Sequence, residues 1–431
     1  MIITYQYKLR PNKVQVAKMQ AWLELLRRHY NYCLGQRFDW WEHNRCDVNA
    51  CPLTCSVTPL ADRPNYYSQQ NQLLETKALF PEYKNIHSQV LQNCVKRVDL
   101  AFSRFVNPDA TGKRFGKPRF KGRGRYRSFT FTQIKADCID GNKIKLPKIG
   151  EVKFIYHRQI PTGFACKTAT ISLKADGWYI ALVLEDKSVP VFTPDESPNE
   201  ENTIGIDLGL IDFLVDDSGN SEPIPQHYRK AEKKLAKLQK KLSSKKRGSK
   251  RRANAVQKVA KHHKKVGDKR KHFHHSVANK LVRKAKFIGC ENLNIKGLAK
   301  SRLAKSVNDA GWASFISILK LKAANAGGLV IEVDPRGTSQ HCSNCNAKVA
   351  KTLADRWHSC SCGLELSRDH NSAILIKKRA IAEGHPVIGS KPNAQSRETE
   401  KPPLYRLRYL VGSMSRIEKV FRVDEYDQQV G

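Results

Sequence analysis

Residues 204–210 read IGIDLGL, a short apolar run with one acid, Asp207, set inside it. A carboxylate is costly to bury without a partner, so an acid kept in such a strand asks for a reason. After a tight turn, DFLVDDSGN (212–220) gives a second strand. Downstream, FIGCENL (287–293) carries Glu291 at the end of its apolar run. GLVIEVDP (328–335) is a further strand, and Asp369 opens the helical segment SRDHNSAILI (367–376). A helix is expected at 274–285 and another at about 312–326, so strands and helices alternate, which predicts an α/β domain from residue 203 to about 380.

Taken singly, each acid has an ordinary explanation; Asp369, for one, sits where a helix N-cap would. Taken in order, they form a set: an acid within a strand, an acid at a strand end, an acid on a helix. Three carboxylates brought to one sheet edge repel each other, and hard divalent cations such as Mg2+ relieve that repulsion. Two such ions can activate water and stabilise the leaving oxygen in phosphodiester cleavage. This is the order of acids in an RNase H-like fold. Asp207, Glu291 and Asp369 are therefore the expected catalytic residues and ligands of two Mg2+ ions, with Mn2+ an acceptable substitute.

Between these elements lies Cys342-x2-Cys345, then 14 residues, then Cys360-x-Cys362-Gly363. Four thiolates on two turns suit a tetrahedral, structural Zn2+. His341 and His358 flank the pairs as alternative ligands. The second pair is spaced CxC where CxxC is commoner. Four free cysteines would be the plain alternative, and the paired spacing argues against it. A further group, Cys46, Cys51 and Cys55, with Cys33 or His43 nearby, is too irregular to assign a metal.

The chain has 431 residues with 77 Lys and Arg against 40 Asp and Glu, a formal charge of +37. Such an excess repels itself unless a polyanion neutralises it, and nucleic acid is the expected partner. An acidic membrane surface ranks low, because no apolar stretch is long enough to span one and no basic amphipathic helix with a strong apolar face ends the chain. Without a secretory signal at MIITYQYKLRPN, a cytoplasmic, nucleoid-associated place is expected, and the 12 cysteines are not read as a disulfide scaffold. The charge is concentrated in two places. Between Arg229 and Lys271 stand 20 Lys and Arg and two acids, on two helical stripes broken at 243–249, which predicts a basic helical hairpin over 229–272 crowned by Lys245, Lys246, Arg247, Arg251 and Arg252. Residues 112–127, GKRFGKPRFKGRGRYR, interleave glycine with Lys117, Arg119, Lys121, Arg123, Arg125 and Arg127. Tyr126 and Phe129 are placed to stack on bases.

The N-terminal half begins with a strand at 2–8. Helical patterns follow at 13–37, 67–78 and 86–105, where Val90, Cys94, Val98, Ala101 and Phe105 form an apolar stripe read as core. SFTFTQI, NKIKLP, EVKFIY, KTATISLK and WYIALVLE predict an antiparallel β domain. Residues 187–202 are a plausible linker, and 384–431 show no pattern and are treated as a tail.

These fragments together are familiar. GIDLGL, the Lys-rich hairpin, ENLNIKGL, CSNCNAK, CSCG and RDHNSA resemble the TnpB proteins of bacterial insertion sequences, compact relatives of type V CRISPR effectors. YQYKLRPNKVQ, KPRFKGRGRYRSFTF and SQVLQNCVKRVDLAFSRF extend the resemblance to roughly residues 1–380; the CxC pair and the segment YRLRYLVGSMSRIEKVFRVDEY depart from it. The resemblance implies a multidomain α/β protein: a β-barrel wedge domain (1–12 and 106–195) with an inserted helical recognition lobe (13–105), and a RuvC-like nuclease domain (203–380) with a zinc module inserted at 340–364. It implies an RNA-guided DNA endonuclease. A guide RNA from the element end would pair with double-stranded target DNA, a short adjacent motif would be read, and cleavage would use the single site of Asp207, Glu291 and Asp369, with one protomer on one RNA. Arg368 falls in the matching motif and joins the nucleic-acid-binding candidates. For the adjacent motif, Gln89, Gln92 and Asn93 share a helical turn, and amides can read adenine edges; an ordinary polar face explains them equally well.

Two other functions use the same fold. A non-catalytic nucleic-acid-binding regulator would be expected to lack one of the three acids. A strand-joining transposase would need to recognise specific element ends.

Overall fold

The computed structural model describes residues 2–43, 62–109, 112–134, 138–188, 196–352 and 355–383. Cys46, Cys51 and Cys55, residues 189–195 of the 187–202 linker and the 384–431 tail lie outside the described residues. The chain divides into two compact units between Pro190 and Val191.

The first unit opens with strand β1 (Ile2–Arg10) and helix α1 (Lys13–His43). The start of α1 is set by a reciprocal cap, with the Gln15 N–H donating to Asn12 Oδ1 and the Asn12 N–H to Gln15 Oε1. Short helices α2 (Tyr66–Asn71) and α3 (Leu73–Leu79), a 3-10 turn (Pro81–Asn85) and α4 (Ser88–Val106) follow. Six strands then appear: β2 (Ser128–Phe131), β3 (Ile139–Asp140), β4 (Lys143–Leu146), β5 (Gly150–Phe154), β6 (Ala165–Lys174) and β7 (Gly177–Glu185). With β1 they form a seven-stranded sheet in the order β2-β6-β7-β1-β5-β4-β3, all pairings antiparallel. Strict alternation of buried and half-buried residues along β7 gives the sheet one core face.

Helices and sheet share that core. Met19, Trp22 and Leu26 of α1, Val95 and Val98 of α4, and Phe129 and Phe131 of β2 belong to one continuous buried cluster. The segment 13–105, expected as a helical lobe inserted in the β domain, packs in the same unit as the β-strands. Arg97 of α4 bolts the two together by donating to the Ser128 carbonyl (2.7 Å) and the Thr130 hydroxyl (2.8 Å).

The second unit carries the sheet foreseen around Asp207. Strands β8 (Thr203–Asp207), β9 (Asp212–Asp216), β10 (Ser221–Pro223), β11 (Phe287–Glu291) and β12 (Leu329–Val333) are ordered β10-β9-β8-β11-β12. Strands β8, β11 and β12 run parallel, while β9 and β10 form an antiparallel edge. The basic hairpin is α5 (His227–Ser243) and α6 (Lys250–Lys284). Here the expected break before a helix at 274–285 is absent. Lys271-His-Phe-His274 contains no breaker, and Val266, His274, Val277 and Leu281 keep one buried stripe, so a single helix runs through. Short helices α7 (Ile295–Leu298) and α8 (Ala304–Ala310) lead to α9 (Trp312–Asn325). A two-stranded ribbon, β13 (Trp357–Ser359) and β14 (Glu365–Ser367), precedes the last described helix, α10 (Arg368–Glu383). Ile204, Ile206, Ile288 and Cys290 pack with α6 and α9 residues Val277, Leu281, Phe315 and Leu319, whereas Ile331 and Val333 pack with Ile376 and Ala380 of α10. The sheet therefore has a helical layer on each face.

Candidate active site and cysteine cluster

Side chains alternate across a strand. With Ile204 and Ile206 turned to the α6–α9 face, Gly205 and Asp207 take the other. On β11, Ile288 and Cys290 leave Gly289 and Glu291 on that same side. The parallel register pairs Gly289 with Gly205 and Cys290 with Ile206, so Asp207 and Glu291 stand one step further along at the carboxyl ends of adjacent strands. In open α/β sheets this is where sites form. The paired glycines are a seat for α10. A Cβ on Gly205 would lie 2.1 Å from the Ala373 carbonyl oxygen, and one on Gly289 would lie 2.7 Å from the Ala380 Cβ. With α10 pressed this close, its first turn brings Asp369 to the two strand-borne acids. Asp369 lies within that turn, where helix N–H dipoles favour negative charge.

Glu291 is buried, and Asp207 and Asp369 are half-buried. The Asp207 carboxyl is pushed well above the usual range, first by burial, then by the charges of Glu291 and Asp369, while Arg368 and the Leu208 N–H pull the other way. Burial also raises Glu291, opposed by a 2.6 Å hydrogen bond from the Thr338 hydroxyl. Arg368 Nε sits 3.1 Å from Asp369 Oδ1 and its Nη1 donates to the Asp355 carbonyl. The three acids are neighbours without forming a closed shell. Among the described residues, only the four cysteines make a group of three or more His, Cys, Asp or Glu whose ligand atoms all lie within 4.8 Å of one another.

That cluster is built on two turns. After Cys342 the chain reverses, with the Asn346 N–H on the Cys342 carbonyl, the Cys342 N–H on the Ala347 carbonyl, and Asn346 in the left-handed region (φ 59°). The second turn closes through Gly363 (φ 86°), whose N–H meets the Cys360 carbonyl between β13 and β14. Sγ of Cys342 and Cys362 are 3.6 Å apart, and those of Cys345 and Cys360 are 3.5 Å apart. A tetrahedron with Zn–S bonds of about 2.3 Å has edges of about 3.8 Å, so the four sulfurs fit a zinc ion. The Leu364 N–H leads in holding the Cys362 thiol down at about 6, and the Cys362 N–H leads in lowering Cys360. Neither flanking histidine belongs to the group: His358 is wholly buried with Nδ1 against Lys351.

The remaining candidates separate. Arg119, Arg125 and Arg127 are exposed on the glycine-rich stretch, and Lys121 is pinned by its main chain, which exchanges hydrogen bonds with Asn31. Tyr126 and Phe129, expected to stack on bases, are buried in the core, since Tyr126 packs on Tyr30 and Phe129 on Trp22. Lys245, Arg247 and Arg251 are exposed on the hairpin, but Arg252 turns back to cap α5 at the Leu242 and Lys245 carbonyls. Arg368 joins the acids. Of the amides on α4, Asn93 accepts from Arg97 Nε at 3.0 Å and Gln89 from the Gln133 N–H at 3.3 Å, while Gln92 is half-buried. Sequence reading missed Thr338 and the glycine seat. The spacing of Gly205 two before Asp207 and Gly289 two before Glu291 was the available signal.

An α/β sheet with three acids at its carboxyl edge, a helix seated on glycines and a four-sulfur module before that helix define the second unit. Residues 185–302 match the OrfB_IS605 family model ("Probable transposase"), residues 312–376 a "Cas12f1-like, TNB domain", and residues 1–46 a "Helix-turn-helix domain". In residues 2–43 the structure has one strand and one long helix instead of two helices. A "Putative RNA-guided DNA endonuclease" of Streptomyces pristinaespiralis is 27% identical over 92% of this chain and 93% of its own. One of Escherichia coli, InsQ, is 27% identical over 91% and 94%. The "TnpB-like protein L79" of Acanthamoeba polyphaga mimivirus is 31% identical over 44% and 40%. A structure titled as a Cas12f1-sgRNA-target DNA complex shares the fold, with a TM-score of 0.51 at 13% identity over 84% of this chain and 82% of that one. Along these segments the chain is similar to proteins of the TnpB family. Among the described residues, no helix is long and apolar enough to cross a membrane.

Proposed function

We propose that this protein is an RNA-guided DNA endonuclease that cuts double-stranded target DNA beside a short motif, using one carboxylate site. The observation that carries the reading is the gathering of Asp207, Glu291 and Asp369 on the α10 face of the sheet edge, with Asp207 raised by burial and by its two acidic neighbours. An uncompensated cluster of this kind is costly, and divalent cations are its natural counter-charge. Asp207, Glu291 and Asp369 would hold Mg2+, for which Mn2+ can substitute; bound there, the ions supply an activated water and neutralise the leaving oxygen. Acids spread more widely than the sulfur cluster suit two ions better than one closed shell. Thr338 orients Glu291, and the Arg368 guanidinium, paired with Asp369, stands where a bound phosphate would approach the acids.

The four cysteines hold a structural Zn2+, since a closed set of four thiolates leaves no position for substrate. The exposed residues Arg119, Arg125, Arg127, Lys245, Arg247 and Arg251 contact guide RNA and DNA phosphates. Gln89 and Gln92 contribute to reading the adjacent motif. In the test, the protein is expressed with its native flanking DNA, the copurifying RNA is sequenced, and the complex is incubated with Mg2+ and a plasmid carrying the matching target behind a randomised flank. One abundant structured RNA, and cutting that Asp207→Ala abolishes, is the expected result; RNA binding without cutting would leave a binding-only regulator. An unchanged flank preference in Gln89→Ala with Gln92→Ala would remove the motif-reading role.

A further inference from the structure

Four buried polar residues lie near the acids: Asn371, Ser372, Thr338 and Ser343. Their hydrogen bonds form two sets, both tying α10 to the segment around Cys342. Asn371, two residues after Asp369, has no exposed surface; its Oδ1 accepts from the Ser343 N–H at 2.9 Å and its Nδ2 donates to the His341 carbonyl at 2.7 Å. One amide thus grips the main chain on both sides of Cys342. About two helical turns later, Lys378 Nζ donates to the Ser343 carbonyl at 2.7 Å. Ser372 donates to the Thr338 carbonyl at 3.3 Å, and the Thr338 hydroxyl donates to Glu291 at 2.6 Å.

Each of these bonds leads from the Cys342 turn, or from the segment entering it, to an element bearing an acid. An amide spanning a donor and an acceptor that flank one residue is fixed in orientation. The turn it grips is fixed in turn by a four-sulfur set. The N-terminal turn of α10, with Asp369 in it, therefore has two references: the glycine seat beneath and the cysteine turn in front.

We infer that the four-cysteine module acts as a positioning device for the carboxylate site, with Asn371 as the positioning residue that transmits the geometry of the Cys342 turn to Asp369. The inference rests on the proposed role of the acids as divalent-cation ligands. Groups that orient metal ligands without touching the metal typically change metal affinity 10–100-fold when removed, and that is the effect expected here.

The test uses the full chain with its copurified RNA. Zinc is counted by mass spectrometry, Mn2+ affinity is read by electron paramagnetic resonance, and cleavage is followed against Mg2+ concentration. Asn371→Ala is expected to keep the zinc content of the wild type, to weaken Mn2+ binding by roughly 10–100-fold, and to recover cleavage as Mg2+ is raised. A merely structural defect would not be rescued by Mg2+. Unchanged Mn2+ affinity, or loss of zinc from Asn371→Ala, would overturn the inference; in the second case Asn371 would serve the cluster and not the acids. If Asn371→Ala does not fold, Lys378→Met carries the same measurement, with a smaller loss expected. Asp207→Ala identifies the other failure: if it leaves Mn2+ binding intact, the acids are not the ion's ligands, and both readings fall.

Discussion

The second unit gathers negative ligands twice, and the two gatherings are built differently. The four cysteines sit on short turns, two of them exposed, with all sulfurs within 4.8 Å of one another. The three acids come from two strand ends and a helix, are buried or half-buried, and lean on Thr338 and Arg368. Turns from a short stretch of chain can close a shell around one soft ion. Distant elements meeting at a sheet edge leave an open set, which is what a hard ion exchanging water with a substrate requires. The contrast is between four sulfurs close enough to share one ion and three acids that repel one another, with burial raising Asp207 and Glu291.

The largest expected effect tests the open set. Asp207→Ala should lower cleavage by roughly 10^4-fold, the scale seen when a group acting in the chemistry is removed, while RNA copurification is unchanged; residual cutting within tenfold of wild type would break the contrast. Next comes the closed set. Cys342→Ser, at a fully buried sulfur, should release the zinc, read with a colorimetric chelator, and lower Tm; a full zinc content would show that three sulfurs suffice. The glycine seat comes third. Gly205→Ala places a methyl against the α10 backbone, and overpacking of this kind costs about 1–3 kcal/mol. Gly35→Ala in α1, where a Cβ meets nothing within 4 Å, should instead gain about 1 kcal/mol. Denaturant midpoints of the two should move in opposite directions.

The smallest effect concerns pH. The folded-state pKa of Asp207 and Glu291 is raised, so the folded protein holds protons that the unfolded chain has lost. Stability is then greatest below the unfolded carboxyl range, near 4, and is lost as pH rises toward the raised values. Added Mg2+ should therefore raise Tm more at pH 8 than at pH 5. An equal rise at both would sever the link between the raised acids and the cation.

Much of this was legible in the sequence because local pattern and site coincide. Asp207 interrupts an apolar run, Glu291 ends one, and the cysteine pairs are separated by turn-sized gaps, so each announces itself. What stayed hidden depends on who packs against whom. Residues 271–274 carried no signal that one helix would continue through them. Tyr126 and Phe129 read as surface aromatics because they follow a run of glycine and arginine, and only the position of α1 puts them in the core. Thr338 and Asn371 have no spacing rule linking them to Glu291 and Cys342; their roles come from α10 being seated on two glycines.

That seat has a consequence for the chain while it is being made. Two acids and the basic hairpin leave the ribosome well before Asp369, the module and α10. At 5–20 residues per second, the interval between Asp207 and Asp369 is on the order of ten seconds. During it the nascent chain already carries its basic hairpin but lacks Asp369 and the helix that bears it. Under the proposed function, RNA would be engaged before the third acid exists, and cutting would wait for α10.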